Sequence, residues 1–164
     1  MQSFFRLAAI LAGIWFASMA HAQGAKVAVG LADHDSRQPV EAVSDELSID
    51  QDNRIATFSG NVIITQGEMI LTGAKVEIEY TEDQSIKRVT ATRDVTLVNP
   101  TEAAEADLAV YTPKNNRIVL TGNVMLTQGG TAIAGDRLRI NLESGDGVMD
   151  GRVRTLLQQN GDDG

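Results

Sequence analysis

The sequence predicts an all-β fold, an elongated stack of strands built from internal repeats. Three observations carry that expectation. Gly60-Asn61-Val62-Ile63-Ile64-Thr65-Gln66-Gly67 returns 62 residues later as Gly122-Asn123-Val124-Met125-Leu126-Thr127-Gln128-Gly129. The register continues without a gap, with Gly73 on Gly135, Val76 on Leu138, Ile78 on Ile140 and Tyr80 on Leu142. Long internal periods mark architectures in which each unit buries its apolar face against the next. Apolar residues also alternate with polar ones at a period of two, the pattern of a half-buried strand. Turn signals, finally, recur about every 8–12 residues, the spacing of an all-β stack, sandwich or barrel.

The elements follow in order. Residues 1–22 read as a cleaved leader: Arg6 is a positive start, Leu7 to Ala17 is an apolar run too short to span a bilayer, and Ala20-His21-Ala22 is a cleavage site. Cleavage between Ala22 and Gln23 leaves an exported chain. Residues 23–38 form a flexible lead-in with one short strand at Val27 to Leu31, and Pro39 sets an extended entry. The folded domain is expected over residues 39–157. Leu47 and Ile49 alternate with Glu46, Ser48 and Asp50, and Gln51-Asp52-Asn53 turns. Ile55 to Ser59 is a strand that Gly60-Asn61 breaks. Val76, Ile78 and Tyr80 alternate with Lys75, Glu77 and Glu79, then Thr81 to Gln84 turns. Val89 to Val98 supplies a pair of short strands around Arg93-Asp94. Glu102 to Ala106 is a connection, and Asp107 to Tyr111 is a strand whose inner face is either Leu108 and Val110 or Ala109 and Tyr111; aligning Ala106-Asp107 on Gly135-Asp136 favours the second pair. Pro113 to Asn116 turns into a strand with Ile118 and Leu120 on one face. Leu138, Ile140 and Leu142 repeat the earlier pattern. After the turn at Glu143 to Gly147, Val148 to Leu157 is the last strand, and residues 158–164 are a disordered tail.

Two irregularities point to bulges. Apolar parity changes between Leu71 and Val76, and again between Ile133 and Leu138; a one-residue slip flips every side chain to the other face. Gly73 and Gly135 sit at these slips, where a bulge restores the face. Arg54 lies one residue farther from Gly60 than Arg117 does from Gly122, which also reads as a bulge.

Composition excludes several functions. The chain has 22 acidic and 14 basic residues, a formal charge of −8. That argues against nucleic acid and against electrostatic docking on an anionic membrane. There is no cysteine, so no disulfide, thiolate metal site or thiol nucleophile is available. His34, the one histidine beyond the leader, lies between Asp33 and Asp35 in a polar stretch and reads as solvated. Asp146, Asp150, Asp162 and Asp163 lack the spacing of a calcium loop. No phosphate loop is present. The residues therefore imply no enzyme, no catalytic group, no metal and no cofactor. A rival reading is a structural or glycan-binding repeat module, which calls for exposed aromatics; beyond the leader there are only Phe58, Tyr80 and Tyr111.

Gln38-Pro39-Val40, Ser44-Asp45, Phe58 to Val62 and Thr65-Gln66-Gly67, followed by Leu120 to Val124 and Gly135-Asp136-Arg137-Leu138, resemble the LptA/OstA-like family of periplasmic lipopolysaccharide-transport proteins. The likeness covers roughly residues 38–157. It departs at Gly73-Ala74, where the second copy has Gly135-Asp136. The resemblance implies an open, twisted antiparallel β-jellyroll, V-shaped in section, with an apolar groove that shields lipid A acyl chains. It also implies a periplasmic location, an inner-membrane-anchored LptC-like partner, an outer-membrane LptD-like translocon and head-to-tail self-association. The alternation assigns Val62, Ile64, Val76, Ile78, Tyr80, Leu97, Tyr111, Leu120, Val124, Leu126, Leu138, Ile140 and Leu142 to the inner face. Such a face is either an ordinary packed core or a slot for acyl chains, and the resemblance favours the slot without separating lining residues from packing ones. The expected edges for partners are the strand regions holding Val40, Leu47 and Ile49 at one end and Val148 and Val153 at the other.

Overall fold

The computed structural model describes residues 24–30 and 38–157; the leader with its Ala22–Gln23 cleavage site and the tail from residue 158 lie outside them. Six long strands form the body: β4 (Ile55–Gln66), β5 (Met69–Tyr80), β6 (Ile86–Val98), β7 (Glu102–Thr112), β8 (Arg117–Gln128) and β9 (Thr131–Asn141). Five short ones finish the ends: β1 (Ala25–Ala28), β2 (Val40–Val43), β3 (Glu46–Asp50), β10 (Asp146–Asp150) and β11 (Arg154–Leu157). Every pairing is antiparallel, and the order is β1-β10-β9-β8-β7-β6-β5-β4-β2, with β3 also on β4 and β11 also on β9. The two ends of this series do not pair with each other, so the sheet is open.

Each long strand is kinked near its middle. The register slips mid-strand at Ser59/Val62, Thr72/Lys75, Thr92/Val95, Glu105/Leu108 and Thr121/Val124, and β5–β6 slips once more at its end, at Glu79/Tyr80. The mid-strand slips line up into a column of bulges that bends the whole sheet. Left-handed residue pairs make the kinks: Gly60-Asn61 (φ 77° and 46°), Arg93-Asp94 (64° and 51°), Gly122-Asn123 (82° and 47°) and Gly151-Arg152 (79° and 47°). Aspartates brace three of them. Asp45 Oδ2 accepts from Asn61 Nδ2 at 2.9 Å and Asp107 Oδ2 from Asn123 Nδ2 at 2.8 Å, while Arg152 Nη2 donates to Asp136 Oδ1 at 2.6 Å. Alanine replaces that aspartate at position 74, opposite the one kink that has no glycine.

Buried residues from both sides of the bend form a single cluster. The two halves therefore fold toward each other, and the result is an open antiparallel β-jellyroll. One half runs β2, the second part of β4, the first part of β5 and so on to β11. The other runs β3, the first part of β4, the second part of β5 and so on to β10 and β1.

Several sequence expectations shift. The segment read as a loose lead-in supplies β1 at residues 25–28, rather than 27–31, hydrogen-bonded along β10. The regions around Gly60-Asn61 and Arg93-Asp94 are single bent strands, because the flanking strands pair on both sides of each kink. Glu102 to Ala106 belongs to β7 itself. Val148 to Leu157 splits at Gly151-Arg152 into β10 and β11. The spacing of Arg54 and Arg117 is no bulge: Arg54 and Asn116 are the equivalent positions. Both are left-handed (φ 56° and 48°), and their carbonyls accept from Tyr80 and Leu142 respectively.

Candidate functional site

The interior is apolar from end to end but not evenly packed. Toward β8–β10 it is solid: Leu120, Leu126, Leu138 and Met149 are fully buried, with Ile140 and Val124 at 1% exposure. Gly135 makes room for Met149, whose Cγ and Sδ would lie 2.7 Å from any added Cβ. Toward β2–β6 the two halves part. A cavity of about 130 Å³ opens there, lined by Val40, Ile64, Gln66, Met69, Leu71, Ile78, Ile86, Val89, Ala91, Leu97, Ala109, Tyr111, Ile118 and Leu142. Its size approaches that of an apolar cavity of about 150 Å³ that stays dry and takes up benzene. That volume leaves room for a short stretch of hydrocarbon. No charged side chain lines it, and only Gln66 and Tyr111 bring polar atoms. Burial pushes the Tyr111 phenol above its ordinary pKa, since the ionised form would lose its water there.

All thirteen residues assigned to the inner face belong to the buried cluster or pack against it. Ile64, Ile78, Leu97, Tyr111 and Leu142 line the groove; Val62, Val76, Tyr80, Leu120, Val124, Leu126, Leu138 and Ile140 pack beside it. Ala109 turns inward with Tyr111. Sequence reasoning left out Met69, Leu71, Ile86, Val89, Ala91 and Ile118 as lining. The signal for most of them was the same alternation, carried past each kink: Val89 and Ala91 alternate with Thr90 and Thr92, and Ile118 with Val119.

The edges differ more from expectation. Val40, Leu47 and Ile49 are 53%, 52% and 65% exposed on β2 and β3, and Val40 also reaches the groove. Val148 is not on an edge, because β10 is bonded to β9 on one side and to β1 on the other. Val153 lies between β10 and β11 and packs against the core. The edge strands at that end are β1, outside β10, and β11, with Leu156 and Leu157 at 74% and 72% exposure.

A polar clamp at this end holds β1, and no motif in the sequence signals it. Gln128 Nε2 donates to the Ala28 carbonyl at 2.7 Å, the Val29 amide to Gly145 at 2.8 Å and the Gly30 amide to Glu102 Oε1 at 2.6 Å. Asn99 Nδ2 donates to the Gly30 carbonyl at 3.0 Å, and Gln128 also bonds Glu102. Val29 is sunk into the core at 2% exposure.

Comparison with known proteins agrees with this geometry. The family described as LptA/(LptD N-terminal domain) LPS transport protein matches residues 41–146. The lipopolysaccharide export system protein LptA of Haemophilus influenzae is 29% identical over 75% of this chain and 78% of its own length. LptH of Pseudomonas aeruginosa is 26% identical over 71% of this chain and 70% of its own. LptA of Escherichia coli K12 is 30% identical over 63% and 60%. The crystal structure of LptH, described as the LptA-homologous periplasmic component of a lipopolysaccharide transport device, superposes with a TM-score of 0.64 at 19% identity. That match covers 74% of this chain and 96% of LptH, and shows the shared fold. With a family match across well over half its length, braced kinks and an apolar groove between two half-sheets, the chain belongs to the LptA/(LptD N-terminal domain) family of LPS transport proteins.

Proposed function

We propose that the groove of this protein shields the acyl chains of lipopolysaccharide on their way through the periplasm. The observation that carries the reading is a lining without a single charge, open at the β2 end, in a member of an LPS transport family. Each methylene kept from water is worth about 0.8 kcal/mol, so shielding is the main thermodynamic task of such a carrier. Aliphatic side chains suit it, because flexible chains need a surface without fixed hydrogen-bonding demands. The protein is a carrier and not an enzyme. The expected leader accounts for export.

The exposed edges supply the joints. β2 and β3 present unpaired backbone at one end and β11 at the other, which suits β-augmentation by a membrane-anchored LptC-like partner, an outer-membrane LptD-like translocon or another copy of the chain. Charge favours head-to-tail order. Residues 40–50 carry Glu41, Asp45, Glu46 and Asp50 and no base, whereas β11 carries Arg154 and no acid; Arg152 before it is paired with Asp136. The glycan-stacking alternative lacks a surface: Phe58, Tyr80 and Tyr111 all pack toward the interior.

Photocrosslinking in cells tests the reading. A crosslinking residue at Ile78 or Leu97 is expected to trap lipopolysaccharide, while Lys75 and Arg137 on the outer face give none. A folded, exported protein that yields no adduct from the groove positions would return the interior to the status of a plain core.

A further inference from the structure

The repeat dictates what belongs beside β10. Strands alternate between two types, one kinked at a left-handed pair (β4, β6, β8) and one kinked at a small residue or aspartate (β5, β7, β9). The series begins with the second type, split into β2 and β3 at Ser44-Asp45. It ends with the first type, split into β10 and β11 at Gly151-Arg152. The next strand in the series would therefore be another β2–β3.

The register of that missing strand follows from β4 and β5. There Phe58 faces Val76, Thr57 faces Glu77, Ala56 faces Ile78 and Gln66 faces Met69. Laying kink on kink sets Leu47 opposite Met149, Ser48 opposite Val148 and Ile49 opposite Gly147. In the other half it sets Val40 opposite Leu157. The last of these pairs would unite two side chains now exposed, Val40 and Leu157 being 53% and 72% accessible.

On β10 the positions are taken. Ala25, Lys26 and Val27 of β1 already face Met149, Val148 and Gly147. Val27 turns inward as Ile49 would, and Gly147 has no Cβ to obstruct it; an added one would sit 2.8 Å from Val27 Cγ2. β1 covers only this half of the end, leaving β11 open.

We infer that β1 is a placeholder, occupying on β10 the seat of β3 from a second copy of this chain, and that it must leave before a joint can close across both half-sheets. This rests on the head-to-tail reading above. β1 is suited to leaving: it spans four residues, has one neighbouring strand and is mostly exposed. Its departure also withdraws Val29 from the core, uncovering the solid end of the interior next to Met149 and Ile140 at the moment a second copy arrives to extend it.

The absence of native cysteine makes the test clean. In the chain carrying both K26C and V148C, oxidation ties β1 to β10. The oxidised protein is expected to stay monomeric in sedimentation at concentrations where the same protein, reduced, assembles. Separately, chains carrying only S48C mixed with chains carrying only V148C are expected to give disulfide-linked dimers on oxidation. If the oxidised double variant assembles as readily as its reduced form, or if the mixed chains assemble without crosslinking, the placeholder is overturned and head-to-tail stacking stands. If reduced and unsubstituted chains stay monomeric at every concentration, stacking falls and the placeholder with it.

Discussion

At the scale of single residues, left-handed glycines serve both the bend and the turns between strands, and they differ in how much side chain they tolerate. Gly60 has φ 77°, and a Cβ there would press on the carboxylate of Asp45, whose own Cβ would be 3.0 Å away. Gly129 has φ 53° with nothing within 4 Å. G129A therefore carries only the backbone penalty, about 1 kcal/mol, and G60A carries that plus the lost brace, about 2–3 kcal/mol in total. Urea unfolding of the two variants checks the order. Asp136 adds a pH dependence. Hydrogen bonds from Arg152, with its charge, hold the Asp136 carboxyl below the usual carboxylate range. Its contribution to stability is present above the unfolded value of about 3.9 and disappears as pH falls through the lowered folded value. D136N should therefore be less stable than the unsubstituted protein near neutrality and converge with it in acid, as thermal melts across that range would register. The doubled Gly-Asn pairs and Arg93-Asp94 stood out as irregular but read as breaks between strands. Their left-handed, continuous backbone was not legible, because pairing on both flanks imposes it.

Among elements, β1 is the one that the sequence placed least well. Four residues of alternation carry little signal, and the partner strand lies at the far end of the chain. What seats it is the clamp of Asn99, Glu102 and Gln128 at the ends of β6, β7 and β8. Glu102 is 8% exposed and accepts the Gly30 amide. Its truncation to alanine leaves that half-buried amide short of an acceptor, at a cost of about 1 kcal/mol. Hydrogen exchange at Val29 and Gly30 should accelerate in E102A while β7 and β8 stay protected. Acceleration spread over all strands would show instead that Glu102 supports the whole sheet. The long strands were readable for the opposite reason: they alternate over a dozen residues, and the second copy repeats the first. The one systematic error, cutting them at their kinks, arose because a bulge and a turn use the same glycine and asparagine.

For the molecule as a whole, the alternation predicts one inner face where the structure has two environments. Parity identifies what points inward; only the separation of the half-sheets decides what is packed and what lines a groove. The difference is measurable. L120A empties a fully buried site and should cost about 2–5 kcal/mol, whereas I64A trims a partly exposed wall of the groove and should cost less than about 2. Chemical denaturation orders the pair. A crosslinker at Ile64 is expected to reach lipid, and one at Leu120 is not.

The direction of the strand pairing has a mechanical consequence. Hydrogen bonds in antiparallel pairs run perpendicular to the strands, so in a stack of these molecules every bond lies along the line joining one copy to the next. A pull along that line does not shear a joint sideways; it loads the rungs together, as a ladder pulled apart at its rails. A joint formed across both half-sheets shares the load over two rows of rungs set at an angle by the bend, and it resists twisting as well as tension. With one row alone, at β11, the same joint would act as a hinge.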